Sequence, residues 1–409
     1  MSVSRRTFLA GLAGSLSSSA LCNSPLFSTW LATPRRPQTE RRLVVVHLDG
    51  GNDGINTVVP HGDAEYAKLR PTLSIGSKHL HSIGDGLGLH PNLGAFKELW
   101  DEEQLCVVQG VGYHGSSRSH FEGGAIWETG VLDSQQHSGV GWLGTLLDPK
   151  PSSSRTSELP AAAAVHVGSG GVPIALKGRR SLATTLSSLR DFKVRDPDSL
   201  RRVAEGSLRG STATDPRAFL SRVMLGACDA AERLSNVEAS AHRVEYPASE
   251  LARRLELAAT LIGNEHPAQV YYVKQPGYDT HVAQRFTHGR LLTELSAAVR
   301  AFLRDVAALG REDDVAVMMF SEFGRTAKEN GSKGTDHGTA GPVFLAGKPV
   351  RAGVIGSTPD LGDLIEGEPK WHVDFRSVYS AVGRQWFAVE EEPFARAVGG
   401  GGEPLRLFG

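Results

Sequence analysis

The chain has 409 residues, of which 40% are hydrophobic, enough to bury a large core in one α/β domain or two smaller ones. Its 44 basic and 45 acidic side chains give a formal net charge of -1, which offers no electrostatic attraction for nucleic acid or for an anionic membrane. We therefore expect a globular protein with no nucleic-acid partner.

The first residues have the features of a bacterial export signal. Arg5 and Arg6 stand in the run SRRTFL, and a weakly apolar stretch follows at residues 9–21. That stretch is too short and too polar to span a bilayer stably. The pattern predicts a twin-arginine signal peptide at residues 1–22; an accidental arginine pair in an unstructured tail is the alternative.

Beyond the signal, the sequence predicts a short tether and one α/β domain. Proline and arginine are frequent in residues 23–42, as in a linker. From Leu43 onward, apolar runs of β type alternate with helical stretches, which is typical of a parallel sheet with crossover helices. We therefore predict a mostly parallel central sheet flanked by helices over residues 43–409. A charged stretch at about 181–265 is predicted to be a helical insertion.

Polar residues follow four of the apolar runs. The runs start at residues 43, 105, 269 and 315, and the polar segments are 49–54, 118–120, 277–281 and 321–325, with a further one at 335–338. Because ligands bind at the carboxyl ends of parallel strands, loops that are far apart in sequence can share one site. The sequence therefore predicts a single polar pocket.

Carboxylates and imidazoles predominate among these polar residues. Asp279 and His281 are two residues apart, so both side chains point the same way in an extended segment. The six candidate metal ligands are Asp49, Asp279, His281, Asp336, His337 and His372. Three carboxylates with three imidazoles suit two zinc or manganese ions better than one calcium or magnesium ion. The alternative is that they are turn carboxylates and structural histidines.

Ser119 lies where the loop after the second apolar run meets a predicted helix. It is either a simple N-cap or a nucleophile whose hydroxyl ionises more easily beside a cation. His120 would donate a proton to a leaving group or be a structural imidazole. Arg118 and Arg325 would hold the oxygens of an anion, unless they are simply solvated. The other residues predicted to line the substrate side are Asn52, Asp53 and Glu322.

Five motifs, in this order, resemble those of an exported bacterial family catalogued as domain of unknown function 1501. They are LDGGNDG at 48–54, RSHF at 118–121, GYDTH at 277–281, SEFGRT at 321–326 and GTDHG at 334–338. The resemblance covers roughly residues 43–390. That family is in turn similar to the alkaline phosphatase superfamily, which includes sulfatases and phosphopentomutase.

The resemblance implies an alkaline-phosphatase-like fold and two metal ions. One metal would be surrounded by Asp49, Ser119, Asp336 and His337, and the other by Asp279, His281 and His372. The superfamily usually has three residues between the Asp and the His of the third motif, whereas this chain has only Thr280. His288 is therefore an alternative ligand to His281.

The leading hypothesis is an exported metal-dependent hydrolase of phosphate or sulfate esters, with Ser119 as nucleophile between two zinc or manganese ions. The alternative is a non-catalytic cell-envelope binding or assembly protein that retains the fold, with the helical insertion as a contact surface. The expected partners are the twin-arginine export machinery and an anionic ester. We expect a periplasmic or secreted location and no stable membrane insertion after signal cleavage.

Overall fold

The computed structural model describes residues 41–148, 162–189, 196–209, 215–235, 244–390, 394–395, 398 and 405–409. The predicted signal peptide and the predicted linker up to residue 40 lie outside the described residues. The first strand begins at Arg42. None of the helices in the described ranges has the length and apolarity that a membrane span needs.

The strands and helices alternate along much of the chain. The strands are β1 (Arg42–Asp49), β2 (Val58–Val59), β3 (His81–Gly84), β4 (Leu87–Leu89), β5 (Leu105–Gly112), β6 (Ala164–Val167), β7 (Ala183–Leu186), β8 (Val270–Pro276), β9 (Val315–Phe320), β10 (Gly324–Arg325), β11 (His337–Gly338), β12 (Gly341–Ala346), β13 (Gly353–Ile355), β14 (Leu364–Ile365), β15 (Glu368–Pro369) and β16 (Val373–Asp374). The helices are α1 (Gly54–Thr57), α2 (Tyr66–Leu69), α3 (Gly94–Asp101), α4 (His120–Thr129), α5 (Trp142–Leu146), α6 (Pro197–Leu208), α7 (Pro216–Ser235), α8 (Glu250–Gly263), α9 (Gln284–Ala308) and α10 (Phe375–Ala381).

The main sheet has nine strands, in the order β13-β5-β12-β9-β1-β8-β6-β7, with β16 also paired to β5. Strand β1 lies at its centre and is parallel to both β8 and β9. Strand β12 is antiparallel to both β5 and β9, so the other strands of this sheet share one direction. The predicted α/β fold with a mostly parallel sheet is confirmed.

Helices cover both faces of this sheet, which explains why its central strands are continuous apolar runs. Val44 and Val46 of β1 point to a core that contains residues of α3, α8 and α9. Leu43 and Val45 point to a second core with residues of α4, α5 and α10. Successive side chains of a strand alternate between its two faces, so β1 contributes to both cores.

The helical insertion is smaller than predicted. Strand β7 lies inside the stretch 181–265 and pairs in parallel with β6. Its sequence, ATTL, is mostly half-buried and lacks the apolar run by which the other strands can be recognised. Helix α8 also belongs to the main domain, because Leu251, Leu255 and Ile262 lie in the core beneath the sheet. In the described residues the insertion therefore comprises α6 and α7.

Candidate metal centre

The loops after β1, β8 and β9 meet at the carboxyl edge of the sheet. Gly50, with φ +121°, lies so close to the loop after β8 that a Cβ on it would be 2.4 Å from the backbone nitrogen of Asp279. The backbone N–H of Gly50 also donates to Glu322 Oε1, which follows β9, at 2.9 Å. The structure thus brings the loop after β1 next to two loops that are more than 200 residues further along the chain.

Three ligand atoms form a nearly equilateral triangle at this edge. Asp279 Oδ1 lies 2.9 Å from His281 Nε2 and 3.1 Å from His337 Nε2, and the two imidazole nitrogens are 2.9 Å apart. His120 adds a fourth atom, because its Nε2 lies 3.5 Å from Asp279 Oδ2. Tetrahedral zinc with bonds of about 2.0–2.1 Å has ligand atoms roughly 3.3 Å apart. The donor set therefore fits a cation of this type.

Each of the three histidines turns its other ring nitrogen toward an oxygen acceptor. The Nδ1 contacts are His120 with Glu322 Oε1 at 2.9 Å, His281 with Asp336 Oδ1 at 3.0 Å, and His337 with the carbonyl oxygen of Arg118 at 2.7 Å. An ionised carboxylate or a carbonyl only accepts, so a neutral imidazole bonded to it carries its proton on Nδ1. The Nε2 lone pairs then remain for a metal ion.

Asp279 is the carboxylate at the centre of this arrangement. Although partial burial raises its pKa, the contacts with the His337 ring and with the guanidinium of Arg325 lower the pKa to about 2. Asp279 is therefore ionised throughout the physiological pH range.

Arg325 supports this loop from within and does not face a substrate. It is only 1% exposed. Its guanidinium donates to the carbonyl oxygens of Gly50, Gly51 (2.7 Å), Thr335 (2.8 Å) and Tyr278 (2.9 Å), and to Asp279 Oδ1 (2.9 Å). The prediction that Arg325 holds substrate oxygens is therefore corrected: its donors are engaged by the protein itself.

A second group of three, His47, Asp49 and Glu322, has ligand atoms within 4.8 Å of one another. Hydrogen bonds already account for two of its members. Glu322 Oε1 accepts from Gly50 and His120, whereas Oε2 contacts His47 Nε2 and accepts from the Ser321 hydroxyl, both at 3.2 Å. The remaining nitrogen of His47, Nδ1, lies 3.0 Å from the Tyr272 hydroxyl.

Hydrogen bonds engage Glu322 and His47 of this second group on both of their polar atoms. Burial raises the pKa of Glu322, but the hydrogen bond and charge of His47 more than offset it, so the pKa lies well below its usual value. Glu322 is an ionised anchor for histidines rather than a substrate ligand. Asp49 has a ligand atom within 4.8 Å of those of His47 and Glu322, whereas His337 lies with Asp279 and His281, so the two groups differ from the predicted division of ligands.

Three other predicted site residues stand outside the triangle. His372 is exposed, its backbone N–H donates to Gly110 at 2.8 Å, and it belongs to neither group of potential ligands among the described residues. Asp336 contacts Nδ1 of His281, which makes it a support for that ligand. Ser119 is the exposed N-cap of α4, and its hydroxyl accepts from the backbone of Glu122 at a long 3.5 Å.

Arg118 lies at the edge of this centre. Its side chain is exposed and forms ion pairs with Glu366, at 3.1 Å, and with Glu368. Its contact with the triangle of Asp279, His281 and His337 is made by its backbone carbonyl oxygen, which lies 2.7 Å from His337 Nδ1.

Asn52 and Asp53 are buried behind the site, which corrects their predicted place on the substrate side. Asp53 is fully buried and is paired with Arg70 Nη1 at 2.6 Å. Burial raises the pKa of Asp53, but Arg70 more than offsets this, so the pKa is below its usual value. Asn52 Oδ1 lies 3.0 Å from both the Thr57 hydroxyl and His288 Nε2.

His288, the alternative ligand, therefore holds Asn52 and is not placed in the triangle. Burial lowers its pKa to about 4, although the nearby Asp53 carboxylate opposes the shift. In the unfolded chain its pKa would be about 6.5. Because only the unfolded state gains a proton between these values, the free energy of unfolding decreases as the pH falls from 6.5 to 4.

We expect His288 to contribute on the order of 3 kcal/mol to this loss of stability, from a pKa difference of about 2.5 units. Urea denaturation at pH 7 and pH 4.5 should show a smaller loss in His288→Gln than in the wild type. The exposed His79→Gln variant should behave as the wild type does. An equal loss in all three proteins would contradict the buried neutral state of His288.

Sequence reasoning missed the support of the ligand histidines. His47 is the one polar residue in the apolar run 43–48, an interruption that marks a buried polar contact in a central strand. Such a position needs a hydrogen-bond partner, and Glu322 and Tyr272 supply it. Arg70 carried no comparable signal, because it lies in a short helical loop without an apolar pattern.

Several solved structures are similar to this chain at a distance. A protein of the alkaline phosphatase superfamily from Vibrio parahaemolyticus has 10% sequence identity and a TM-score of 0.37; the match covers 88% of this chain and 69% of that protein. A phosphonate monoester hydrolase from Silicibacter pomeroyi has 9% identity and a TM-score of 0.40, covering 90% and 76%. The lipoteichoic acid synthase LtaP from Listeria monocytogenes has 9% identity and a TM-score of 0.36, covering 88% and 76%.

Similarities at these TM-scores do not establish a function for this chain. No curated protein matches the sequence. A family model described as Protein of unknown function (DUF1501) matches residues 40–380. As the five motifs predict, the chain belongs to the DUF1501 family.

Proposed function

We propose that this protein is an exported hydrolase of phosphate or sulfate esters that uses a divalent cation, zinc or manganese. The proposed ligands are His120, Asp279, His281 and His337. One observation carries the proposal: three imidazoles have Nδ1 turned to oxygen acceptors and Nε2 turned toward one ionised carboxylate. Three nitrogens and a carboxylate form a donor set that suits zinc.

The residues around these ligands hold them in place before a substrate arrives. The ring of Phe323 is buried and lies 4.4 Å from that of His337 and 4.9 Å from that of His120, measured between centroids. Arg325 holds Asp279 by donating a hydrogen bond to its Oδ1. When bound, the cation would act as a Lewis acid on a phosphoryl or sulfuryl oxygen. Because these ligands are already held in position, they need not reorganise when the substrate reacts.

Ser119 is the proposed nucleophile. It directly precedes His120, one of the proposed ligands, and within the described part of the chain its exposed hydroxyl is held only by the long bond to the α4 backbone. The N-terminus of α4 carries a partial positive charge that would stabilise an anionic ester beside the hydroxyl. In the reaction, Ser119 Oγ would give its proton to water and attack phosphorus or sulfur, while the bond to the leaving oxygen breaks and that oxygen takes a proton from water. A second water would then hydrolyse the ester formed on Ser119 and restore its hydroxyl.

Ser119→Ala is expected to reduce ester hydrolysis by about a thousandfold or more, because the attacking oxygen is removed, while cation binding is retained. Initial rates with aryl phosphate, phosphodiester and sulfate esters should be compared with and without a chelator. Ser117→Ala is the matched control, since Ser117 is a nearby serine whose hydroxyl donates to Glu122. Unchanged turnover in Ser119→Ala would remove the nucleophile role.

The test also separates hydrolysis from a binding role. Metal content by elemental mass spectrometry and turnover of the three ester classes are measured on the same preparation. About one equivalent of zinc or manganese with chelator-sensitive turnover supports the hydrolase. Bound metal without turnover of any ester would favour a non-catalytic envelope-binding protein. We also propose that the twin-arginine machinery exports the chain, because of the motif at residues 4–9.

A further inference from the structure

A separate cleft of about 380 Å³ lies between the first two turns of α9 and the segments at residues 73–79 and 90–92. This volume is in the range of sites that bind small molecules. Gln284 lines the cleft and also hydrogen-bonds Asp53, Thr280 and Thr335, so buried side chains stand between it and the metal centre. The proposed hydrolase makes no use of this cleft.

The lining of the cleft combines apolar and cationic groups. Leu73, Ile75 and Pro91 contribute apolar surface, and the ring of Phe286 is 86% exposed beside them. Arg285 and Arg290 also line the cleft. Helix α9 has 25 residues and its N-cap, Ala283, offers no side-chain acceptor, so the positive end of the helix is uncapped by a side chain. This combination favours an anion that carries an apolar body.

The mostly buried His90 supplies a donor in the same cleft. It is 8% exposed, and its Nδ1 accepts from the backbone N–H of Asn92 at 3.0 Å. Burial lowers the pKa of His90 to about 3, so the ring is neutral and its proton is on Nε2. Among the described residues, none forms a hydrogen bond with this Nε2. This Nε2–H is not among the buried polar atoms that lack a partner, so solvent reaches it and it can donate to water or to a ligand in the cleft.

We propose that this cleft binds a small organic carboxylate whose apolar body lies against Phe286 and Pro91. Arg290 provides the charge that attracts the carboxylate, and His90 Nε2–H is the neutral donor. The ion pair of Arg290 with Glu294 lies on the exposed surface and leaves other guanidinium donors. Binding here does not depend on the metal centre.

Gly289 allows the cleft to be filled without disturbing the helix. A Cβ at this position would lie 3.7 Å from the side chain of Asn92, an ordinary contact. Alanine therefore fits, whereas the branches of a leucine would occupy the cleft. Because glycine is a poor helix former, Gly289→Ala and Gly289→Leu are both expected to fold.

The test is binding of 4-fluorobenzoate to the full-length protein, followed by ¹⁹F NMR line broadening, with the neutral 4-fluorobenzamide as the comparison probe. We expect saturable binding of the carboxylate, retained in Gly289→Ala and weakened more than about tenfold in Gly289→Leu. Arg290→Gln should weaken the carboxylate about threefold and leave the amide unchanged. No saturable binding of the carboxylate, or equal binding in Gly289→Leu and wild type, would overturn the proposal.

The same titration on the Asp279→Asn variant keeps this inference separate from the hydrolase proposal. The carboxylate should bind that variant as it binds the wild type, because the cleft does not include Asp279. Loss of binding in Asp279→Asn would place the probe at the metal centre and refute the second site.

Discussion

Asp279→Asn is expected to lose the bound cation and to reduce ester hydrolysis by about a thousandfold or more. Asp279 is the ionised member of the ligand set, and its two oxygens contact all three ligand histidines. Asparagine keeps the shape and an oxygen for Arg325 but removes the negative charge that offsets the cation. If the cation contributes about 4 kcal/mol to transition-state stabilisation, its loss corresponds to the expected decrease in rate.

The measurement is metal content and initial rate on the same purified sample. Cation affinity should fall by more than about a hundredfold, beyond the 10- to 100-fold effect of outer-shell partners. Asp363→Asn is the matched control: it removes a carboxylate that is paired with Lys370 on the surface and should change neither quantity. Full metal content in Asp279→Asn would mean that the metal is bound elsewhere and that the triangle is a hydrogen-bonded cluster without a cation.

The sequence predicted the fold and the convergence of the loops because both follow from patterns in the main chain. Apolar runs such as 43–48 mark buried strands, and parallel strands place their carboxyl ends at one edge. Strand β7 was missed, since ATTL is half-buried at the side of the sheet and lacks such a run.

The division of the ligands could not be predicted, because it depends on side-chain directions set by distant contacts. His337 lies with Asp279 because its other ring nitrogen contacts the carbonyl oxygen of Arg118, 219 residues away. Asp53 is drawn into the interior by Arg70, which no motif connects to it. A charged residue in a motif can therefore be a buried support as easily as a substrate ligand, and the sequence does not distinguish the two.

Our proposal of one cation rather than two rests on the same kind of contact. Glu322 would be a plausible metal ligand by residue type, but its two oxygens already contact two histidines, a backbone N–H and a hydroxyl. A metal ion would have to displace several of these bonds. At the triangle, by contrast, the Nε2 atoms of His281 and His337 lie 2.9 Å apart. Cation binding there would relieve a contact between lone pairs.

Arg325→Met is expected to lower the free energy of unfolding by about 3–5 kcal/mol, because several buried carbonyl oxygens lose their donor and each unsatisfied group costs about 1–3 kcal/mol. Methionine has a similar length but no donors, so several buried carbonyl oxygens and Asp279 would lose their partner. Chemical denaturation followed by circular dichroism measures this loss.

Arg325→Lys distinguishes a structural role from a substrate-binding role. Lysine keeps the charge but lacks the planar fork that reaches several carbonyl oxygens at once, so we expect it to recover only a small part of the lost stability. A substrate clamp would show the opposite pattern, with a weaker affinity for the ester and unchanged stability in both variants. Stability within about 1 kcal/mol of the wild type in Arg325→Met would contradict the buried role, because surface arginines contribute no more than that.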